Sequence, residues 1–132
     1  MNVKKNGKLP SNESLSEVVK KCKNNNWLGV ILACVSPEII ENSIDEMKKI
    51  KLPVGYKANL WKTEEPVPVH KFASPKDNVG ANPIDTMGTR NDYTGQKFLE
   101  FSKKMLSRGA TILGGCCETK PSHIKEISAL KN

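Results

Sequence analysis

Three cysteines fall where strands are expected to end. Cys34 closes the apolar run at residues 28–34, and Cys116 and Cys117 follow the pair Gly114-Gly115 at the end of another. Thiolate sulfur is a favoured zinc ligand, and a catalytic zinc has three protein ligands and one open position. Three unrelated buried thiols are the alternative interpretation, because the chain contains no CxxC pair.

Three thiolates would give a zinc site a net charge of about −1, which makes the ion a weak Lewis acid. A thiol that enters the open position loses its proton, because coordination stabilises the thiolate. Its sulfur stays electron-rich. Such a site suits attack on an electrophilic methyl group better than polarisation of a carbonyl.

Other residues whose side chains could take part in chemistry have simpler interpretations. Cys22 lies on the apolar stripe of a predicted helix and is expected to be a small core residue. His123, in the first turn of the last helix, is expected to pack or cap, and His70 lies in an irregular stretch and receives no role. Three charged residues of that stretch are expected to form structural ion pairs: Asp85, Arg90 and Asp92.

The elements that would position the cysteines follow from hydrophobic spacing. The predicted order is helix 12–25, strand 28–34, helix from Ser36 to about Ile50, strand 52–59, an irregular loop at about 60–93, helix 94–108, strand 110–117, and a helix from Thr119 to about Leu130. Residues 1–3 could add a strand remnant. The helix starts carry caps: Ser14 with Glu17 three residues later, Ser36 before a proline, and Thr94.

Alternation of strands and helices predicts an α/β fold with a parallel sheet. In such folds functional groups gather at the carboxyl ends of the strands, so Cys34, Cys116 and Cys117 should share one edge. Neighbouring residues of a regular strand point to opposite faces. Both Cys116 and Cys117 can therefore reach one ion only if the chain distorts there, which Gly114-Gly115 permits.

Length and composition indicate one modest domain. The chain has 132 residues, 37% of them hydrophobic, with a net charge of +7. A basic nucleic-acid module is an alternative, but only Arg90 and Arg108 are arginines and the lysines fall on expected solvated faces. No apolar run is long enough to span a membrane, and no secretory signal is evident, so we expect a reducing, cytoplasmic location without membrane attachment.

The sequence resembles the homocysteine S-methyltransferase family over nearly its whole length. The most specific likeness is Gly114-Gly115-Cys116-Cys117 followed by Thr119, Pro121, His123 and Ile124. Two further segments are similar: Ala33-Cys34-Val35-Ser36-Pro37-Glu38, and Tyr56-Lys57-Ala58-Asn59. One departure is Ala33, where the family usually has asparagine.

The resemblance implies the C-terminal half of a (β/α)8 TIM barrel, about strands 5 or 6 to 8 with their helices, as a partial domain over residues 1–132. It implies a methyltransferase with Zn²⁺ held by Cys34, Cys116 and Cys117, and homocysteine or a related thiol or selenol as acceptor. It leaves the methyl donor open among S-methylmethionine, S-adenosylmethionine, betaine and methylfolate.

Asn59 would end a barrel strand and line the substrate pocket, with a turn role as the alternative. A complementing N-terminal half or self-association would complete the barrel, and nucleic acid is not an expected partner. The rival expectation is a catalytically inactive remnant or a zinc-binding interaction domain.

Overall fold

The computed structural model describes residues 1–22, 26–63 and 83–131. These ranges contain α1 (Leu15–Lys21), β1 (Val30–Val35), α2 (Pro37–Met47), β2 (Val54–Ala58), α3 (Pro83–Met87), α4 (Gly95–Ser107) and α5 (Pro121–Ser128). β1 and β2 pair in parallel, with α2 as the crossover between them. The predicted α/β class with a parallel sheet is confirmed. No helix in the described ranges has the length and apolar character needed to cross a bilayer.

The predicted helix starts are confirmed by their hydrogen bonds. Ser14 and Glu17 form a reciprocal capping box on α1. The Ser36 side chain accepts the backbone N–H of Ile39 at the start of α2, and Thr94 caps α4 in the same way. These caps satisfy N–H groups that have no partner within the helix.

The core lies between the sheet and helices α2 and α4. Ile40, Ile44 and Met47 of α2 are fully buried, as predicted from their spacing. Tyr56 of β2 packs edge-on against Phe101 of α4, with the ring centroids 5.0 Å apart. α5 packs against α4. The side chains of alternate strand residues therefore point toward the helices and anchor the sheet.

The N-terminal residues extend the sheet beside β1. The Met1 amino group donates to the Ile31 carbonyl over 2.6 Å, and the Ala33 N–H donates back to the Met1 carbonyl over 2.7 Å. This is the pattern of a parallel pair. Met1 therefore pairs with β1 in the manner of a strand residue, whereas no strand is formed over residues 1–3 as a whole, and Val3 is fully buried.

The predicted strand at 110–117 is not a continuous strand. The segment follows β2 through two isolated parallel bridges, Gly55 to Ile112 and Ala58 to Gly115. The backbones approach closely at the first bridge, since a Cβ on Gly55 would lie 1.8 Å from the Ile112 carbonyl oxygen. Gly114 and Gly115 have little strand preference, which explains why sequence reasoning placed the segment correctly but made it too regular.

Some predicted boundaries were too generous. α1 begins at Leu15 rather than at residue 12, because its N-cap is Ser14, and residues 23–25 lie outside the described chain. Leu28, assigned to the first strand, is 93% exposed. Cys22 is only half-buried at the end of α1 and does not belong to the core cluster, so its core assignment was wrong. The turn of helix α3 was not predicted, and residues 64–82 of the irregular loop are not described.

Candidate metal centre

Cys34 is the extra residue of a β-bulge at the carboxyl end of β1. Ala33 pairs with Lys57 and Val35 pairs with Ala58, so no residue of β2 is left opposite Cys34. Its φ is +57°, the left-handed region that costs an L-residue about 1–2 kcal/mol. Bulges re-aim side chains and are frequent beside functional sites. The bulge turns Cys34 toward the segment that carries the other two thiols.

Cys116 and Cys117 sit where the third segment of the sheet leaves β2. The Cys116 N–H donates to the Ala58 carbonyl over 2.7 Å, and the Leu60 N–H donates to the Cys117 carbonyl over 3.0 Å. Glu118 follows in the left-handed region with a φ of +60°. The regular strand geometry ends here, so the two adjacent cysteines need not point to opposite faces.

The structure brings the three predicted thiols together. The Sγ atoms of Cys34 and Cys117 are 3.6 Å apart, and those of Cys116 and Cys117 are 3.9 Å apart. All three sulfurs lie within 4.8 Å of one another. Zinc–sulfur bonds near 2.3 Å in a tetrahedron place the sulfurs about 3.8 Å apart, so the cluster fits one ion with little movement. In the described chain no other group of His, Cys, Asp or Glu residues converges in this way.

The thiol environment differs across the cluster. Cys34 and Cys116 are half-buried, whereas Cys117 is exposed. Burial raises the pKa of the Cys34 thiol to about 12, with further contributions from the hydrogen bonds and charges of Cys116 and Cys117. Without a metal, the Cys34 thiol therefore stays protonated at neutral pH. Binding of a cation would release the proton, because only a thiolate is a good ligand.

Asn59, predicted to line the substrate pocket, is buried directly after β2. Its side-chain amide donates to the Cys34 carbonyl over 2.9 Å, and its side-chain oxygen accepts the Trp61 N–H over 3.3 Å. Both polar atoms are thus engaged with backbone at the cluster. Contact with a substrate stays a prediction for this residue. Asn2 supports the same bulge with longer contacts of 3.4 Å to the Ala33 and Cys34 carbonyls.

His123 acts as a cap and packing residue, as expected from the sequence. Its Nδ1 accepts the Lys120 N–H over 2.8 Å at the start of α5, and its Nε2 lies 2.7 Å from the Tyr93 carbonyl, to which it donates. The ring packs edge-on against Phe98. Both ring nitrogens are occupied, so His123 is not part of the metal cluster. His70 lies outside the described residues.

Two of the three charged residues predicted to form ion pairs, Arg90 and Asp92, do so, and an ion pair of Asp85 stays a prediction. The Arg90 guanidinium lies 2.6 Å from Glu38 at the start of α2 and 3.2 Å from Asp92. The second oxygen of Glu38 is buried without a hydrogen-bond partner in the part of the chain that the structure describes. Asp85 is exposed on α3. The Arg90 pairs attach the segment after residue 82 to the helix that follows Cys34.

One contact beside the cluster was missed by sequence reasoning. Glu118, next to Cys117, accepts a hydrogen bond from the Thr89 hydroxyl over 2.7 Å. Thr89 also lies in an antiparallel bridge with Trp61. The turn after the cysteines is therefore attached to the segment at 88–90, and the only signal for this in the sequence was a polar residue directly after Cys117.

Comparison with known proteins points in one direction. A family model described as homocysteine S-methyltransferase matches residues 1–130. Homocysteine S-methyltransferase 1 of Arabidopsis thaliana is 30% identical over 128 residues, which make up 92% of this chain and 33% of that protein. Homocysteine S-methyltransferase 1 of Brassica oleracea var. italica is 29% identical over 126 residues, 90% of this chain and 32% of that protein. The chain thus spans about a third of the length of these curated relatives.

Proposed function

The chain belongs to the homocysteine S-methyltransferase family, and from this premise we propose that it supplies the zinc-binding part of a site that methylates the thiol of homocysteine or of a related thiol or selenol. The observation that supports the proposal most is the convergence of three sulfurs within 4.8 Å at the carboxyl ends of the strands. A donor set of sulfur alone favours zinc over magnesium or calcium, which prefer oxygen ligands.

In this proposal Cys34, Cys116 and Cys117 are the metal ligands. When bound, zinc would offer an open fourth position, lower the pKa of the acceptor thiol and leave its sulfur nucleophilic. Cys117 is the exposed member of the cluster, so the acceptor would enter from its side. The half-buried Cys34 and Cys116 would keep solvent from the rear of the site.

The proposed reaction is a simple displacement. A sulfur–carbon bond forms between the acceptor and the methyl group, and the bond between the methyl group and the donor heteroatom breaks. The electron pair of that bond leaves with the donor, and the acceptor's thiol proton passes to solvent. The donor is not distinguished among S-methylmethionine, S-adenosylmethionine, betaine and methylfolate.

We also propose that the sheet is part of a (β/α)8 barrel, about strands 5 or 6 to 8. The parallel strands, the helices on one face and the thiols at the carboxyl edge support this arrangement. Three of the strand residues on the other face are less buried: Ile31 and Ala33 are intermediate and Lys57 is exposed. A complementing N-terminal half, or a second copy, would cover that face. We propose a reducing compartment such as the cytoplasm, because the cluster needs free thiols.

The test measures zinc content and methyl transfer from each candidate donor to homocysteine. The chain is assayed alone and co-expressed with the N-terminal half of a relative. We expect about one zinc per chain, and methyl transfer when the half is supplied. Cys116→Ala should abolish both, whereas Cys22→Ala, which removes a thiol outside the cluster, should preserve both. Methyl transfer unaffected by Cys116→Ala would contradict the mechanism.

We propose as a second candidate, on the same three convergent thiols, a zinc-binding interaction domain or a catalytically inactive member of the family. This alternative predicts zinc binding that depends on the same cysteines, without methyl transfer in any combination of donor and N-terminal half.

A further inference from the structure

The carboxyl end of β2 lies between the two segments that carry the thiols. On one side the Asn59 N–H donates to the Val35 carbonyl over 3.0 Å, immediately after Cys34. On the other side the Cys116 N–H donates to the Ala58 carbonyl over 2.7 Å. Residues 58 and 59 thus hydrogen-bond to both segments that carry the thiols, although neither residue has a thiol itself.

Asn59 makes the first side-chain hydrogen bond at this end of β2. Its amide donates to the Cys34 carbonyl over 2.9 Å. That carbonyl belongs to the bulged residue, whose φ of +57° is unfavourable. The hydrogen bond from the buried Asn59 amide offsets part of this cost, since it is the shorter of the two side-chain contacts to that carbonyl, the other coming from Asn2 over 3.4 Å. The bond therefore favours the backbone conformation that directs the Cys34 sulfur toward Cys117.

Thr119, two residues after Cys117, makes the second set of side-chain hydrogen bonds. Its hydroxyl donates to the Ala58 carbonyl over 3.1 Å and accepts the Cys116 N–H over 3.2 Å. The Thr119 N–H also donates to the Cys116 carbonyl over 3.1 Å. One hydroxyl thus closes the cysteine turn onto the same end of β2 that supports Cys34.

We propose that Asn59 and Thr119 are positioning residues, which hold the two thiol-carrying segments against the carboxyl end of β2. The inference rests on the proposed metal site. It assigns Asn59 a role through the backbone of Cys34, and Thr119 a role through the backbone of Cys116. Groups that orient metal ligands commonly change metal affinity by about 10–100-fold when they are removed.

The test compares zinc affinities of the full chain by competition with a chromophoric chelator. Thr119→Val keeps the shape of the side chain but loses its hydroxyl, and Thr119→Ser keeps the hydroxyl. We expect Thr119→Val and Asn59→Leu to weaken zinc binding about 10–100-fold, and Thr119→Ser to restore most of it. Cobalt substitution gives a second readout, since the thiolate-to-cobalt charge-transfer band should weaken only in the first two variants.

The matched control is Thr111→Val. The Thr111 hydroxyl also donates to a β2 carbonyl, that of Val54, over 3.4 Å, but at the opposite end of the strand. Its loss should leave zinc affinity and the cobalt band unchanged. Equal weakening by Thr111→Val would mean that any loss of a bond to β2 acts through general stability, and would overturn the proposed positioning roles.

A metal-free probe separates this inference from the proposed function. In a Cys116→Ser background, phenylarsine oxide can bridge Cys34 and Cys117 with release of water. Thr119→Val and Asn59→Leu should each weaken this capture. If the chain binds no zinc but the two variants weaken its binding of phenylarsine oxide, the result counts against the metal site and not against the positioning roles. If neither zinc affinity nor phenylarsine oxide binding changes in the two variants, the positioning roles alone are overturned.

Discussion

The Sγ atoms of Cys34 and Cys117 lie 3.6 Å apart although 83 residues separate them along the chain. The bulge at Cys34 and the turn after Gly115 together produce this contact. Neither feature is regular secondary structure. The candidate metal centre is therefore built from two departures from an ordinary parallel sheet, on either side of β2.

The strain at Cys34 can be measured without metal. Cys34→Gly and Cys34→Ala both remove the thiol, but only glycine adopts a φ of +57° without steric cost. We expect the glycine variant to be more stable than the alanine variant by about 1 kcal/mol. Urea unfolding of the metal-free proteins gives the comparison. An alanine variant as stable as the glycine variant would show that the bulge carries no backbone strain.

The two glycines before the cysteines should differ in their tolerance of substitution. A Cβ on Gly115 would lie 2.3 Å from Cγ2 and 2.8 Å from Oγ1 of Thr119, whereas the nearest atom to a Cβ on Gly114 is the Tyr56 carbonyl oxygen at 3.6 Å. Gly115→Ala must displace Thr119 and should weaken zinc binding at least about 10-fold.

Gly114→Ala is the matched control and should change zinc affinity little, since 3.6 Å is an ordinary contact. Chelator competition measures both variants. Equal affinities of the two variants would contradict the close packing of Thr119 on Gly115.

His123 should matter for stability and not for metal binding. His123→Phe keeps a ring against Phe98 but removes the acceptor of the Lys120 N–H and the donor to the Tyr93 carbonyl. Loss of these partners should lower the free energy of unfolding by roughly 1–3 kcal/mol. Zinc affinity should stay unchanged, which calorimetric titration can establish. The exposed neighbour provides the control, as Ser122→Ala should affect neither quantity. A loss of zinc affinity in His123→Phe would reopen a ligand role.

The ion pairs around Arg90 predict acid sensitivity. Hydrogen bonds from Arg90 and Lys97, with their charges, lower the pKa of Asp92 from its ordinary value of 3.8. Burial raises the pKa of Glu38, but the hydrogen bond and charge of Arg90 outweigh it, so the net shift is downward from 4.5. A carboxyl whose folded pKa is depressed stabilises the fold above its unfolded pKa, and loses that contribution as the pH falls toward the folded value.

The unfolding free energy should therefore fall between about pH 5 and about pH 2, and Asp92→Asn should reduce the steepness of this fall. Urea titrations across that range provide the measurement. In an Arg90→Gln background the same Asp92→Asn change should have a smaller effect, because the main partner is gone. An undiminished effect in that background would assign the pKa shift to Lys97 instead.

Local chemistry in the sequence determined most of the secondary structure. The caps at Ser14, Ser36 and Thr94 and the apolar spacing of α2 and α4 act within one or two turns of chain. Such signals can be read without knowledge of distant residues, and the structure confirms them. The α/β class follows from the same signals, because alternating strands and helices favour parallel pairing.

The sequence also determined which residues form the cluster, since Cys34, Cys116 and Cys117 all end predicted strands of a parallel sheet. Only the tertiary structure decided that their sulfurs meet. The strand at 110–117 proved irregular, and Cys22 proved peripheral. The side-chain hydrogen bond from Asn59 reaches Cys34, 25 positions away, and that from Thr119 reaches Ala58, 61 positions away. Bulges and left-handed residues cost local conformational energy, and only the long-range hydrogen bonds and packing of the whole fold offset that cost.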